Sequence, residues 1–128
     1  MSYYFSKTVK GSLEDIEPRV RAALKSRGFG VLTEIDVKAT LKKKLDVDFR
    51  PYKILGACNP SFAYRALLGE DKIGTMLPCS VILQETAPGE VEVAAVDPLA
   101  SMQAVDNPGL GEIAHKVRDM LKAVVEDV

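Results

Sequence analysis

Apolar and polar positions change period several times along the chain, and each change marks an element. Residues 2 to 10 alternate, with Tyr3, Phe5 and Val9 set against Tyr4, Ser6, Thr8 and Lys10, which predicts a first strand ended by Gly11. Ser12 stands three residues before Asp15 in a capping-box-like start, and Ile16, Val20, Ala23 and Leu24 recur at helical spacing as far as Gly28. Pro18 falls beyond the first turn of this helix, so either Asp15 is the true cap or the helix kinks there. Phe29, Val31, Thr33 and Ile35 alternate as a second strand. The period then changes at Asp36, and Val37, Leu41 and Leu45, four apart, predict a short helix with a lysine-rich outer face.

The mostly apolar run from Pro51 to Cys58 reads as a central third strand. Asn59-Pro60 follows as a helix start, since asparagine caps orphan amides and proline fits the first helical position; Ala63, Ala66 and Leu67 carry that helix to Gly69. Residues 77 to 85 and 91 to 96 read as a hairpin around Ala87-Pro88-Gly89-Glu90. From Pro108 to Glu126 a stripe of Leu110, Ile113, Ala114, Val117, Leu121, Val124 and Val125 predicts a long amphipathic closing helix. The order β-α-β-β-β-β-α, with short inserted helices, predicts an α+β fold: an antiparallel sheet with its main helices on one face. So many apolar strand residues leave the other face needing cover, which a homodimer would supply.

Composition narrows the classes of partner. The 128 residues form a common single-domain length, so residues 1–128 are expected to be one domain. Seventeen basic against 18 acidic residues give a net charge of −1, with no field to hold phosphate backbones or anionic lipid, so nucleic acid is an unlikely partner. The first residues lack the pattern of a secretory signal, and charges interrupt every apolar stretch before it could span a membrane. A cytoplasmic location is expected, with Cys58 and Cys79 as thiols.

If the third and fourth strands are antiparallel neighbours, Cys58, Asn59, Cys79 and Asp97 converge at one end of the sheet, on turns stiffened by Pro60, Pro78 and Pro98. Cys58 sits just before a helix cap, where the helix dipole would favour a thiolate; free cysteine is equally among the most buried residue types, and both readings stay open for both cysteines. Asp97 reads as an acid or as a turn former. The cysteines are 21 apart, without C-x-x-C, and no metal ligands are assigned. His115 lies off the apolar stripe and reads as a surface residue, which leaves no evident Cys-His pair. Lys38 and Lys42 to Lys44 read as a solvated face. Phosphate loops, nucleophile elbows and zinc-protease motifs are absent.

Taken together, Lys25-Ser-Arg-Gly-Phe-Gly30, Ile54-Leu-Gly-Ala-Cys-Asn-Pro60, Leu77-Pro-Cys79 and Val96-Asp-Pro98 resemble the domain of unknown function 302 family over nearly the whole chain. The resemblance implies a small fold similar to the TATA-binding-protein-like arrangement, and homodimers; it implies no activity. Asn59-Pro60, Pro78 and Asp97-Pro98 match the family pattern, and the two cysteines match a subset of members. Two functions are therefore weighed. One is a dimeric module that binds a small ligand or a protein at the sheet edge, with Cys58, Asn59, Pro60, Pro78, Cys79 and Asp97 as its candidate residues. The other is thiol-dependent redox, sulfur-transfer or metal-handling chemistry, with Cys58 reactive and Cys79 as partner. Neither names a cofactor.

Overall fold

A computed structural model describes residues 2–128. Its five strands are β1 (Tyr4–Lys10), β2 (Gly30–Asp36), β3 (Tyr52–Cys58), β4 (Cys79–Ala87) and β5 (Glu90–Val96). They form one sheet in the order β1-β5-β4-β3-β2, with every neighbouring pair antiparallel. β4, rather than β3, is the central strand. Two long helices, α1 (Leu13–Ser26) and α5 (Pro108–Asp127), pack against the sheet and each other, and three short helices, α2 (Val37–Leu45), α3 (Pro60–Gly69) and α4 (Pro98–Ser101), occupy the connections. The expected α+β architecture is the one observed.

Strand alternation decides what each face holds. Leu55 and Ala57 of β3, Val81 and Leu83 of β4, and Val91, Val93 and Ala95 of β5 are buried in one cluster with Ile16, Val20 and Leu24 of α1 and Val117, Leu121 and Val124 of α5. Burying each larger aliphatic side chain of this set contributes about 1.5–3 kcal/mol relative to leaving it exposed. The intervening residues, including Tyr52, Ile54, Ser80, Ile82, Gln84 and Val96, point to the opposite face and keep solvent contact.

Local signals place most helix ends. Ser12 caps α1, its hydroxyl accepting from the Asp15 amide at 3.2 Å, so Asp15 is not the cap. Pro18 is the sixth residue of that helix, on its exposed side, where its missing N–H leaves the Glu14 carbonyl without its usual helical partner. The hairpin closes through Pro88 and Gly89, the latter at φ +76°, a conformation that favours glycine. In β2 the register shifts between Val31 and Thr33, so the bulge moves Thr33 and Ile35 to the face opposite Val31 and breaks the simple alternation expected for residues 29–35. The short helix α2 forms as expected, yet it buries no residue, and Leu45 is 66 % exposed.

Two contacts tie the sheet together near β3. Gly56 is buried against Thr33 of β2 and the Pro78 ring; a Cβ there would collide with the Thr33 hydroxyl and come within 2.7 Å of Pro78 Cγ. On the helix side, Lys53 Nζ pairs with Glu17 at 2.7 Å and Glu34 at 2.6 Å, while Arg21 pairs with the same two carboxylates at 3.0 Å each. The result is a closed ring of alternating charges that fastens α1 to β2 and β3. Burial alone would raise the Glu17 carboxyl, but hydrogen bonds and charge from Lys53 and Arg21 outweigh it and hold the group below its ordinary value. Hydrogen bonds from the Lys53 ammonium to Glu17 and Glu34 raise Lys53, against a smaller opposing effect of burial.

Gly56→Ala is expected to lower the unfolding free energy by about 1–3 kcal/mol or more, measured by urea titration, because backbone or proline must shift to admit the methyl group. The charge ring sets a pH window. A carboxyl depressed on folding stabilises above its unfolded value, near 4.5 for Glu17, and that contribution is lost as pH falls through the lower folded value. A raised lysine stabilises below its unfolded value, near 10.5 for Lys53, and loses that contribution as pH rises through the higher folded one. Glu17→Gln should therefore cost about 1 kcal/mol at neutral pH and flatten the acid limb of a stability-versus-pH curve.

Candidate functional site

The end of β3 and the start of β4 meet under α3 and α5, and a cavity of about 40 Å³ lies between them. The sequence dictates this meeting point. Asn59 ends β3 by capping α3, its side-chain oxygen accepting from the Phe62 amide at 3.4 Å, and Pro60 opens the helix as its first residue. The Asn59 amide nitrogen rests against Gly28, whose φ of +81° turns the chain from α1 toward β2. Pro78, preceded by a cis peptide bond, leads into β4. In the β3–β4 register Cys79 faces Ala57, the residue before Cys58. With strands about 4.8 Å apart and a rise of about 3.4 Å per residue, the two cysteine Cα atoms lie about 6 Å apart.

Cys58, Asn59, Pro78 and Cys79 all line this cavity, so the structure brings together four of the six residues singled out from sequence. Pro60 does not line it and is exposed. Asp97 is at the same end of the sheet, because Val81 faces Ala95 and two further residues along that register bring Cys79 beside Asp97. Its carboxylate is nevertheless occupied elsewhere. One oxygen accepts from the Leu99 amide at 3.0 Å and caps α4; the other pairs with Arg118 Nε of α5 at 3.3 Å. Asp97 is only 6 % exposed and works as a cap and an anchor for α5, the turn-forming role rather than a free acid.

The rest of the wall is apolar. Phe62, Ala63 and Ala66 come from α3, Ile113, Ala114 and Val117 from α5, and Met102 from just beyond α4. The periodicity of α5 reveals its apolar stripe but not which part of it roofs a cavity. Met102 carries no sequence signal, because α4 is too short to show a period. Burial, with a smaller contribution from nearby Cys58, pushes the Cys79 thiol from its ordinary 9.0 up to about 11, so it is neutral at pH 7. Cys58 is half-buried. No acid or base lines the cavity besides the two thiols, and among the described residues no group of three or more His, Cys, Asp or Glu is placed to hold a metal ion. His115 is exposed, in keeping with the surface reading. In the lysine run, Lys42 pairs with Asp46 and Asp48, and Lys38 donates to the Phe49 carbonyl.

On the far face of the sheet a second, shallow groove of about 420 Å³ runs between Tyr3, Tyr4 and Tyr52 over Ser80, Ile82 and Ala94. Its polar row is internally bonded: Arg50 donates to Gln84 at 2.8 Å, and Gln84 donates to Glu92 at 2.8 Å. The Arg50 guanidinium also lies 4.4 Å from the Phe49 ring centroid. This groove was not foreseen as a cavity, although the exposed apolar face that carries it was.

These features define a class: an α+β protein whose antiparallel sheet is helix-covered on one side and holds a small apolar pocket at one end. Residues 5–128 match the family described as domain of unknown function DUF302, and the chain belongs to that family. The crystal structure of an uncharacterized conserved DUF302 protein from Bacillus stearothermophilus is similar to it over 99% of this chain and 98% of that one, with a TM-score of 0.91 at 28% identity. No curated protein matches the chain. Among the described residues no helix is long and apolar enough to cross a membrane.

The unequal settings of the cysteines predict unequal reactivity. In peptide mass spectrometry of the folded protein, iodoacetamide should label Cys58 first; Cys79 should resist until the pH approaches 11 or the protein is unfolded.

Proposed function

We propose that this chain is a binding module that works as a homodimer, with its ligand site in the pocket between Cys58 and Cys79. The observation that carries the reading is the division of the sheet. One end holds a pocket whose wall carries no acid or base besides the two thiols, and the face opposite α1 and α5 carries the tyrosine-lined groove. Strands of seven to nine residues in a five-stranded sheet present a face of roughly 600 Å² in projection. Side-chain relief and the flanking Tyr3 and Phe49 add to that, approaching the roughly 800 Å² each partner contributes to a standard interface.

Tyr4, Tyr52, Ile54, Ile82 and Val96 supply the aromatic and aliphatic area that such interfaces favour. The thiol-chemistry reading, with Cys58 reactive and Cys79 as its partner, is weakened on the partner's side, because burial keeps the Cys79 thiol neutral at pH 7. Binding is the reading this pocket's chemistry favours, because its wall offers packing surface and soft donors instead of a proton-transfer relay.

Light scattering at tens of micromolar should give twice the chain mass, and Ile82→Glu should give a folded monomer. A monomeric wild-type chain under those conditions would overturn the dimer.

A further inference from the structure

Register fixes which side chains share the face of the sheet opposite α1 and α5. One row there runs Ser6, Ala94, Ile82, Ile54 and Ile35, from β1 through β5, β4 and β3 to β2. The next row runs Thr8, Glu92, Gln84 and Tyr52, and Arg50 reaches back to it from just before β3. We propose that two chains dock through this face about a twofold axis along β4, so that Arg50 of each chain pairs with Glu92 of the other. The proposal rests on the homodimer proposed above and names the residues of the two sheets that meet.

Strand order makes the face self-complementary about that axis. β4 is the middle strand, with β5 and β3 on either side and β1 and β2 at the edges, so rotation about it sets β5 of one sheet over β3 of the other and β1 over β2. In the first row Ile82 then meets Ile82, and on either side a small residue meets a large one, Ala94 against Ile54 and Ser6 against Ile35. Layers in which large and small residues oppose each other interdigitate without voids. Sheets packed face to face lie about 10 Å apart, within reach of such side chains. An axis across the strands would set each strand over itself end for end. Ala94 would then oppose Ala94, Ile54 would oppose Ile54, and the Glu92 carboxylate would lie against the partner's Val96.

The second row supplies the charges. Within one chain Arg50 Nε donates to Gln84 at 2.8 Å and Gln84 donates to Glu92 at 2.8 Å, so cation and carboxylate stand on opposite sides of the middle strand. Among the described residues neither enters an ion pair within its own chain. The twofold exchanges the two sides, bringing the partner's Arg50 to Glu92 and the partner's Glu92 to Arg50. Contact with the Phe49 and Tyr52 rings, 4.4 and 5.7 Å from the guanidinium to their centroids, keeps Arg50 close to the sheet. Glu92 is already half-buried, and a second sheet laid over it without a counter-charge would carry a large desolvation cost. The trans pair removes that obstacle.

The test is a charge exchange read by sedimentation equilibrium on the full chain. Arg50→Glu and Glu92→Arg should each raise the dimer dissociation constant about tenfold or more, because like charges then face each other at both symmetry-related contacts. An equimolar mixture of the two variants should recover near wild-type affinity, since its heterodimer holds one pair in the native sense and one reversed. A role confined to the Gln84 bond inside one chain would give no recovery in trans. Circular dichroism checks that the variants are folded. Should Glu92→Arg unfold, the isosteric Glu92→Gln decides: the wild-type dimer should weaken as sodium chloride is raised to about 0.5 M, and the Glu92→Gln dimer should not. A dimeric wild type whose charge variants stay dimeric, or whose mixture fails to pair, overturns this docking and leaves the homodimer standing. A monomeric wild type overturns both.

Discussion

The close approach at Gly56 is the constraint on which the pocket end of the molecule depends. Thr33 and Pro78 occupy the space that any other residue's Cβ would need. That single missing atom allows β2 and the lead-in to β4 to close on β3 from both sides. Cys58 lies two residues beyond this notch and Cys79 directly follows Pro78, so the positions of both sulfurs derive from it. A glycine inside a strand ordinarily weakens the strand. Here the close packing it permits compensates, and the pocket is assembled as a consequence of that packing.

On the other face of the sheet, the Glu17-Arg21-Glu34-Lys53 ring does a related job with charge. It fastens α1 across the β2–β3 edge, the part of the sheet where the bulge leaves β2 with little apolar burial of its own. β2 depends on ion pairs where the central strands depend on aliphatic contacts. Salt bridges of this partly exposed kind contribute little one by one. A closed ring, in which every carboxylate serves two cations, limits the side-chain entropy lost per pair.

Much of this was legible in the sequence, and what was not has physical reasons. Long periodic segments such as α5 and the β4–β5 hairpin were readable because burial imposes a repeating pattern on them. Cap chemistry marked Ser12 and Asn59, since a side chain that satisfies an orphan amide must stand at a fixed offset from the helix. The bulge in β2 was invisible, because one added residue changes the face without changing the composition. Met102 and the groove beside Tyr52 were equally hidden. Both arise from segments far apart in the chain that are brought together only by sheet order.

Asp97 shows how convergence in space differs from participation in a site. The strand register carries it to the end of the sheet occupied by Cys79, as expected from sequence, yet both of its oxygens are engaged, by the Leu99 amide and by Arg118. Arg118 also lies over the Phe5 ring, 5.2 Å from its centroid, so Asp97 links α4, α5 and, through that arginine, β1. The consequence for the pocket is indirect. By fixing α4 against α5, Asp97 positions the segment that presents Met102 and the stretch of α5 that roofs the cavity. Its charge is neutralised outside the wall, and the wall itself is left to packing surface and sulfur.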